Sequence, residues 1–222
     1  MVNDTSLPDP ASGSRALQEA KHALHAALSY PDAMDRLETL KQIIEQFNTD
    51  ALVEELLLFL ADPDPLVRCE AVEALEEAAR PEVHLHLAGL AIADPDWLVR
   101  GWALGGLKDA PYTWVNSFLW TVYRRDRSHF VKISALGTLL YRGVQEAYPL
   151  LVEYLFSAHY RFVIQTANAL AHAIEQLSPD TLASLREIIQ ERLQAWRSAA
   201  AVVEALENCL SDIDARLGES VR

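Results

Sequence analysis

The sequence has very little cysteine, because Cys69 and Cys209 are the only thiols among 222 residues. Two thiols are too few for the disulfide framework of a small secreted protein or for a thiolate metal site. The sequence also lacks an uncharged apolar run of about 18 residues, the length that a membrane-spanning helix needs, and a basic-then-apolar leader. We therefore expect a soluble, cytoplasmic protein that neither crosses a membrane nor holds a metal.

Motifs for chemistry are equally scarce. The chain contains no glycine-rich phosphate loop and no dinucleotide fingerprint. His22 and His25 can share a helical face, but no carboxylate cluster completes a site beside them. Basic residues are also few, because 19 Lys and Arg stand against 32 Asp and Glu, a net charge of −13. These absences favour a protein without catalytic residues or a cofactor, and the charge disfavours non-specific binding of nucleic acid.

What the sequence does have is an internal repeat, in which six columns of residues recur with a step of 32. The columns are Asp62, Asp94 and Asp126; the Pro-Asp pairs that begin at Pro31, Pro63 and Pro95; Val67, Val99, Val131 and Val163; Ala71, Ala103, Ala135 and Ala167; Arg68, Arg100 and Lys132; and Leu75, Leu107 and Leu139. Six columns in one register indicate that the chain is built from repeated structural units.

Each unit is predicted to be a pair of helices. An apolar first helix, such as 51–60, is followed by a short Asp/Pro turn and then by a second helix, such as 65–79. Within that second helix Val67, Ala71 and Leu75 lie on one helical face, which predicts that they form the core. The sequence therefore predicts an all-α fold, an α-solenoid of about six helix pairs.

The two ends of the array are less regular. The first unit keeps Pro31 and Asp32 but not the Val/Arg pair of the later units. The last unit loses the Asp-Pro turn, while Ala195, Ala199 and Val203 hold the register, as expected for a terminal capping unit. The predicted organisation is a mobile N-terminal arm, 1–15, a solenoid, 16–217, and a C-terminal tail, 218–222.

Two stretches of the chain carry a resemblance to a known repeat. Residues 62–75, DPDPLVRCEAVEAL, and residues 94–107, DPDWLVRGWALGGL, resemble the HEAT repeat, and the short unit resembles the HEAT-like repeats of phycobiliprotein lyases. The resemblance implies stacked helix pairs whose second helices line a concave face.

The repeated charged residues are interpreted as structural. The three aspartates of the first column can accept N–H groups at helix N-termini. The resemblance implies in addition a ladder between adjacent units, in which basic side chains pair with these aspartates. The predicted ladder consists of Asp62, Asp94, Asp126, Arg68, Arg100 and Lys132.

The outward positions of the second helices change character along the chain. Cys69 and Glu73 are expected to point away from the core in one unit, whereas Gly101, Gly105 and Gly137 take such positions in the next two. Glycine within a helix costs about 0.5–1 kcal/mol relative to alanine. The three glycines therefore indicate either close packing against another part of the chain or a floor on which a ligand or partner lies.

The middle of the chain also differs in charge and composition. Residues 97–162 carry a net charge of +4 and 14 of the 18 aromatic residues, between acidic ends. Aromatic and arginine side chains are frequent anchors of protein interfaces. The predicted binding site at the concave centre consists of Trp102, Lys108, Tyr141, Arg142, Gly101, Gly105, Gly137 and His172.

Three functions are compatible with these observations. The favoured one is a non-enzymatic scaffold or adaptor that binds a protein partner on its concave face. Its acidic N-terminal part suits a basic partner, as in an immunity-type protein or an assembly factor. One alternative is a bilin lyase subunit, in which aromatic side chains with Arg142 and Lys108 would hold a tetrapyrrole. The other, a DNA alkylpurine glycosylase, fits the net charge of −13 poorly.

Overall fold

The computed structural model describes residues 10–78 and 80–219. Within these ranges the fold contains α-helices and short 3-10 turns and no strand, as the sequence predicts. The helices are α1 Pro10–Ala27, α2 Ala33–Ile44, α3 Val53–Phe59, α4 Pro65–Leu75, α5 Pro81–Ala93, α6 Trp97–Gly105, α7 Trp114–Arg125, α8 His129–Tyr141, α9 Ala147–Val152, α10 Tyr160–His172, α11 Pro179–Trp196 and α12 Ala200–Glu219. In the part of the chain described, no helix is long and apolar enough to cross a membrane.

The helices follow one another as six pairs, and they belong to two compact units that divide after His86, within α5. In the unit up to His86, α2 packs against α1 and α4, and α3 packs against α4. In the unit from Leu87, the second helices α6, α8, α10 and α12 form one layer, each in contact with the next. Helices α7 and α11 pack beside this layer, against α8 and α12. This consecutive packing of helix pairs is that of an α-solenoid.

The predicted columns lie in the core. The valines, alanines and leucines that recur every 32 residues are fully buried on the second helices. The last pair departs from the predicted register. Ala195 is exposed near the end of α11, and α12 instead buries Val202, Leu206 and Ile213. The reason is that α11 extends to Trp196, so the second helix of this pair begins only at Ala200.

The turns before α4, α6 and α8 contain the predicted aspartates, and in the first three units the aspartate of the Pro-Asp pair caps the second helix. Asp32, Asp64 and Asp96 are the N-cap residues of α2, α4 and α6, and their carboxylates accept backbone N–H groups of the first helical turn. Asp62 instead accepts the N–H of Asp64, outside the helix. Asp62, Asp94 and Asp126 thus accept the N–H groups of the N-cap residues Asp64, Asp96 and Ser128, whereas the N–H groups of the first turn of α2, α4 and α6 are bound by the Asp of the Pro-Asp pair.

Both ends of the described chain are helical. Helix α1 begins at Pro10, so 10–15 belong to a helix, and the rest of the predicted arm, 1–9, lies outside the described residues. Helix α12 continues to Glu219, past the predicted end of the solenoid at 217. The last residues of the predicted tail, 220–222, also lie outside the described residues.

Candidate functional site

A ladder of arginine–aspartate pairs ties consecutive turns together. Arg36 of α2 donates from Nε and Nη2 to the two carboxylate oxygens of Asp62, at 2.7 and 2.8 Å. Its Nη1 donates to the carbonyl oxygen of Tyr30, at 2.8 Å. Both charged side chains are buried, and the hydrogen bond with Asp62 raises the pKa of Arg36 above its ordinary value. Sequence reasoning missed Arg36 because Asp35 stands where later units have valine, although Arg36 lies one period before Arg68.

The same arrangement recurs farther along the chain. Arg100 donates from Nε and Nη2 to Asp126, at 2.8 and 3.2 Å. Burial opposes ionisation of this carboxyl, but the hydrogen bonds from Arg100 and from the N–H of Ser128 outweigh it and hold the pKa of Asp126 below its ordinary value. Arg68 donates to the carbonyl oxygen of Asp62 at 2.7 Å, bracing its own turn. These residues, taken for a structural ladder in the sequence, are engaged inside the fold.

The ladder changes at its fourth step. Lys132 stands where the earlier units have arginine, and its ammonium lies over the ring of Tyr123, 6.0 Å from the centroid. One period after Asp126 the chain has Ala158, which offers no carboxylate. The Pro-Asp pair of the first three turns is likewise replaced by Arg127-Ser128 and then by His159-Tyr160. The acidic turns therefore give way to basic and aromatic ones.

Aromatic side chains occupy these turns, the adjoining first turns of α6, α8 and α10 and, at Tyr154, the 3-10 turn after α9. We call this set the aromatic row, and it consists of Trp97, His129, Phe130, Tyr154, His159, Tyr160 and Phe162. The rings of Trp97 and Phe130 stack with centroids 4.5 Å apart, and Phe130 meets Phe162 edge to face at 5.0 Å. His159 stacks on Phe162 at 4.4 Å. The row therefore runs without a break across three consecutive second helices.

The row also includes Tyr154, and it is partly exposed to solvent. His129 contacts Tyr154 with ring centroids 5.8 Å apart, and its Nδ1 is hydrogen-bonded to the Tyr154 hydroxyl at 3.3 Å. Burial raises the pKa of this tyrosine above its ordinary value, which keeps the phenol protonated. Trp97 is 37% exposed and Tyr160 is 45% exposed. The periodic loss of the Pro-Asp turn is the sequence signal that could have revealed this surface.

The glycines of the predicted centre lie where helices approach one another. A Cβ on Gly101 would lie 3.2 Å from Oγ of Ser134, and one on Gly137 would lie 2.8 Å from Cβ of Ala169. Gly137 is buried between α8 and α10 and cannot floor a binding site, whereas Gly101 and Gly105 are half-buried. Close helix packing, one of the two explanations offered by the sequence, therefore accounts for Gly137.

The contact at Gly137 predicts an unusual response to alanine. Alanine normally favours a helix over glycine by about 1 kcal/mol, but here the added methyl group overlaps Ala169. We expect Gly137→Ala to lower the free energy of unfolding by about 1–3 kcal/mol, measured by urea denaturation. Adding Ala169→Gly removes the overlapping methyl group and should recover part of the loss. A Gly137→Ala protein more stable than wild type would contradict this packing.

Arg142, predicted to bind a partner, is instead engaged by the chain itself. Its Nε donates to Oδ1 of Asn116 at 2.7 Å, and its Nη1 donates to the carbonyl oxygens of Lys108 and Ala110, each at 2.8 Å. Longer hydrogen bonds reach the carbonyl oxygens of Leu107 and Tyr112. Burial lowers the pKa of this guanidinium from its ordinary value, but an arginine remains charged at neutral pH. Arg142 thus braces the loop between α6 and α7.

The other residues of the predicted centre differ in accessibility. Trp102 on α6 is 40% exposed, and His172 at the end of α10 is exposed. Tyr141 and Lys108 are half-buried. Cys69, expected to point outward, is buried, because the second helices pack against neighbours on more sides than the single core face assumed from the sequence. The second thiol is also inert, since burial raises the pKa of Cys209 to about 12.

Comparison with known proteins identifies the repeat. The family model of HEAT repeats matches residues 20–108, whereas no curated protein matches the chain. Among solved structures, the crystal structure of an engineered protein shares 17% identity, with 89% of this chain and 97% of that chain covered and a TM-score of 0.43. The matched range ends before the turn that carries His129 and Phe130. By this match, residues 20–108 of the chain contain HEAT repeats.

Proposed function

We propose that this chain is a non-enzymatic scaffold that binds a protein partner, and that the aromatic row is its docking surface. HEAT repeats are typically protein-interaction scaffolds, because stacked helix pairs present an extended surface. The observation that carries the proposal is the unbroken ring contact from exposed Trp97 through half-buried Phe130 and Phe162 to His159 and exposed Tyr160.

The row has the physical properties of an interface centre. Large aromatic side chains bury much apolar area in a contact and lose little conformational entropy, so they dominate the energy of many interfaces. Here the rings also hold one another in place, since Phe162 touches Phe130, His129 and His159. A preorganised surface loses less side-chain entropy on binding than a mobile one. Helices α2 and α4 begin with Ala33 and Pro65 where α6 begins with Trp97, so the row marks one stretch of the solenoid.

The centre predicted from the sequence is a second location for the same function. Trp102 is 40% exposed and half-buried Tyr141 lies on α8, so both side chains can contribute contact area. Arg142 contributes less in this proposal, because its hydrogen bonds are made within the chain. The two locations differ in which indole they use, Trp97 in the row or Trp102 in the centre.

The proposal includes a separate place for a basic partner. In the unit up to His86, Tyr30, Asp35, Glu38 and Gln42 line an open groove of about 350 Å³. The exposed carboxylates of Asp35 and Glu38 favour a cationic segment there by charge complementarity. An immunity-type or assembly role toward a basic protein would use this acidic unit.

The proposal is tested by comparing variants in their capture of a partner. The purified chain is used as bait in a lysate of its source organism, and the affinity of the captured protein is then measured. We expect Trp97→Ala/Tyr160→Ala to weaken binding at least tenfold, on the scale of roughly 1 kcal/mol or more for each hot-spot side chain. The helical circular dichroism should not change, because both side chains lie at the surface.

Two further variants separate the alternatives. Trp114→Ala is the matched control, because it removes an indole that is 38% exposed on α7, outside the row. Trp102→Ala tests the predicted centre. Loss of binding in the row variant alone, with hydrogen-exchange protection of α8 and α10 in the complex, supports the row. Loss in Trp102→Ala alone moves the docking surface to the centre, and equal binding by all variants contradicts both locations.

A further inference from the structure

We propose that the segment of the partner that contacts the aromatic row is an acidic peptide stretch, an inference that rests on the proposed function. The reason is the charge that surrounds the rings. Arg124, Arg125 and Arg127 are exposed at the turn that leads into His129, and Arg161 is exposed beside Tyr160. The whole chain has a net charge of −13, so this cluster is a local reversal of sign.

The carboxylates near the row do not cancel this charge. Asp126 is bound on both oxygens by Arg100, so its charge is neutralised inside the ladder. The other carboxylates close in sequence are Asp94 and Asp96, which precede Trp97 and accept backbone N–H groups within their own turn, and Glu153, which is exposed at the end of α9. These three acids stand against four exposed arginines. The ring nitrogens of His129 and His159 add polar groups that can donate hydrogen bonds. An anionic segment would therefore meet exposed guanidinium groups close to the rings of the row.

The rings favour a peptide over single-stranded nucleic acid, the other polyanion that binds aromatic and basic surfaces. Binding of bases requires open ring faces on which they can stack. Here the face of Trp97 is stacked on Phe130, and His159 lies between Phe162 and Tyr160, at 4.4 and 5.7 Å. The guanidinium of Arg161 lies over the Tyr160 ring at 5.7 Å. Neighbouring groups thus occupy part of the ring faces of Trp97 and Tyr160, which leaves less surface on which bases can stack, while the exposed guanidinium groups suit carboxylate side chains.

The test is selection from a phage-displayed library of random peptides, about twelve residues long, on the full chain. We expect the enriched peptides to carry an excess of Asp and Glu next to apolar residues. A synthetic peptide of the enriched sequence, followed by fluorescence anisotropy, should bind at least about fivefold more weakly to Arg127→Glu/Arg161→Glu than to wild type. Binding should also weaken as salt rises. The matched control is Arg197→Glu, which reverses an exposed arginine at the end of α11 and should bind as wild type does.

The outcomes separate this inference from the proposed function. Enriched peptides without acidic excess, no enrichment, or unchanged affinity in the double reversal would overturn the acidic-peptide inference while leaving the row as a possible docking surface for other chemistry. Acidic peptides that depend on the arginines but bind Trp97→Ala/Tyr160→Ala normally would uphold the acidic site and contradict the ring-centred function. Tighter binding of a fluorescent oligothymidine than of the selected peptide, lost in the same double reversal, would replace the peptide by nucleic acid.

Discussion

Replacing Arg36 with alanine should lower the free energy of unfolding by about 3–5 kcal/mol, the range for removing one partner of a buried ion pair. Arg36 and Asp62 are each only 5% exposed. The substitution removes two short hydrogen bonds to the carboxylate and leaves a buried negative charge that still accepts the N–H of Asp64. It also removes the donor to the carbonyl oxygen of Tyr30. Urea denaturation followed by circular dichroism measures the loss.

An exposed ion pair in the same chain provides the control. Nε of Arg186 lies 2.6 Å from Oδ1 of Asp214, but the two side chains are 41% and 47% exposed. Because water and salt screen such a pair, Arg186→Ala should lower the free energy of unfolding far less than Arg36→Ala does. The comparison keeps the residue types and the short distance while changing burial. Equal and small losses in Arg36→Ala and Arg186→Ala would contradict the view that the buried ladder stabilises the turns.

The ladder also shows what the repeat made predictable. Val67, Ala71 and Leu75 could be placed in the core because burial on a helix follows a simple period, and their columns are fully buried. The helix-capping role could not be assigned between Asp62 and Asp64 from sequence. Both are acidic, both precede the helix, and only the backbone path decides which carboxylate reaches the free N–H groups.

The aromatic row could not be predicted from the sequence, for a different reason. The sequence shows that Phe130 and Phe162 are aromatic and 32 positions apart. Whether their rings touch depends on how the helices stack and on which rotamers the side chains adopt. The change from Pro95-Asp96 to Arg127-Ser128 was visible as a broken column. The loss of a repeated residue type shows in which unit the surface changes. Only the structure shows which side chains lie at that surface instead.

The role of Arg142 could not be predicted from the sequence, because the carbonyl oxygens to which it donates lie in an irregular loop. In the sequence it is a basic residue next to Tyr141, in a segment rich in aromatic residues, and this pattern is typical of an interface. Its actual partners are carbonyl oxygens of Lys108 and Ala110, in the loop between α6 and α7. That loop follows no repeat column, so its carbonyl directions cannot be deduced from periodicity. Gly143, with a φ of +82°, lets the chain turn directly after α8.

Replacing Arg142 with alanine should therefore lower stability more than it alters binding. The guanidinium of Arg142 donates hydrogen bonds to Oδ1 of Asn116 and to four carbonyl oxygens. Hydrogen bonds to a charged group contribute about 1.5–3 kcal/mol each when buried, but this side chain is half-buried and water can replace part of the set. We expect Arg142→Ala to lower the free energy of unfolding by about 2–4 kcal/mol, measured by urea denaturation.

Two companion variants define the mechanism of that loss. Arg142→Lys keeps the charge but cannot reproduce the planar set of donors, so its stability should lie between those of Arg142→Ala and wild type. Asn116→Ala removes a single acceptor and should cost less than Arg142→Ala. A stable Arg142→Ala protein that loses its partner would instead support the binding role predicted from the sequence. A destabilised protein whose folded fraction still binds assigns Arg142 to the loop, because a side chain whose donors are already engaged has little left to offer a partner.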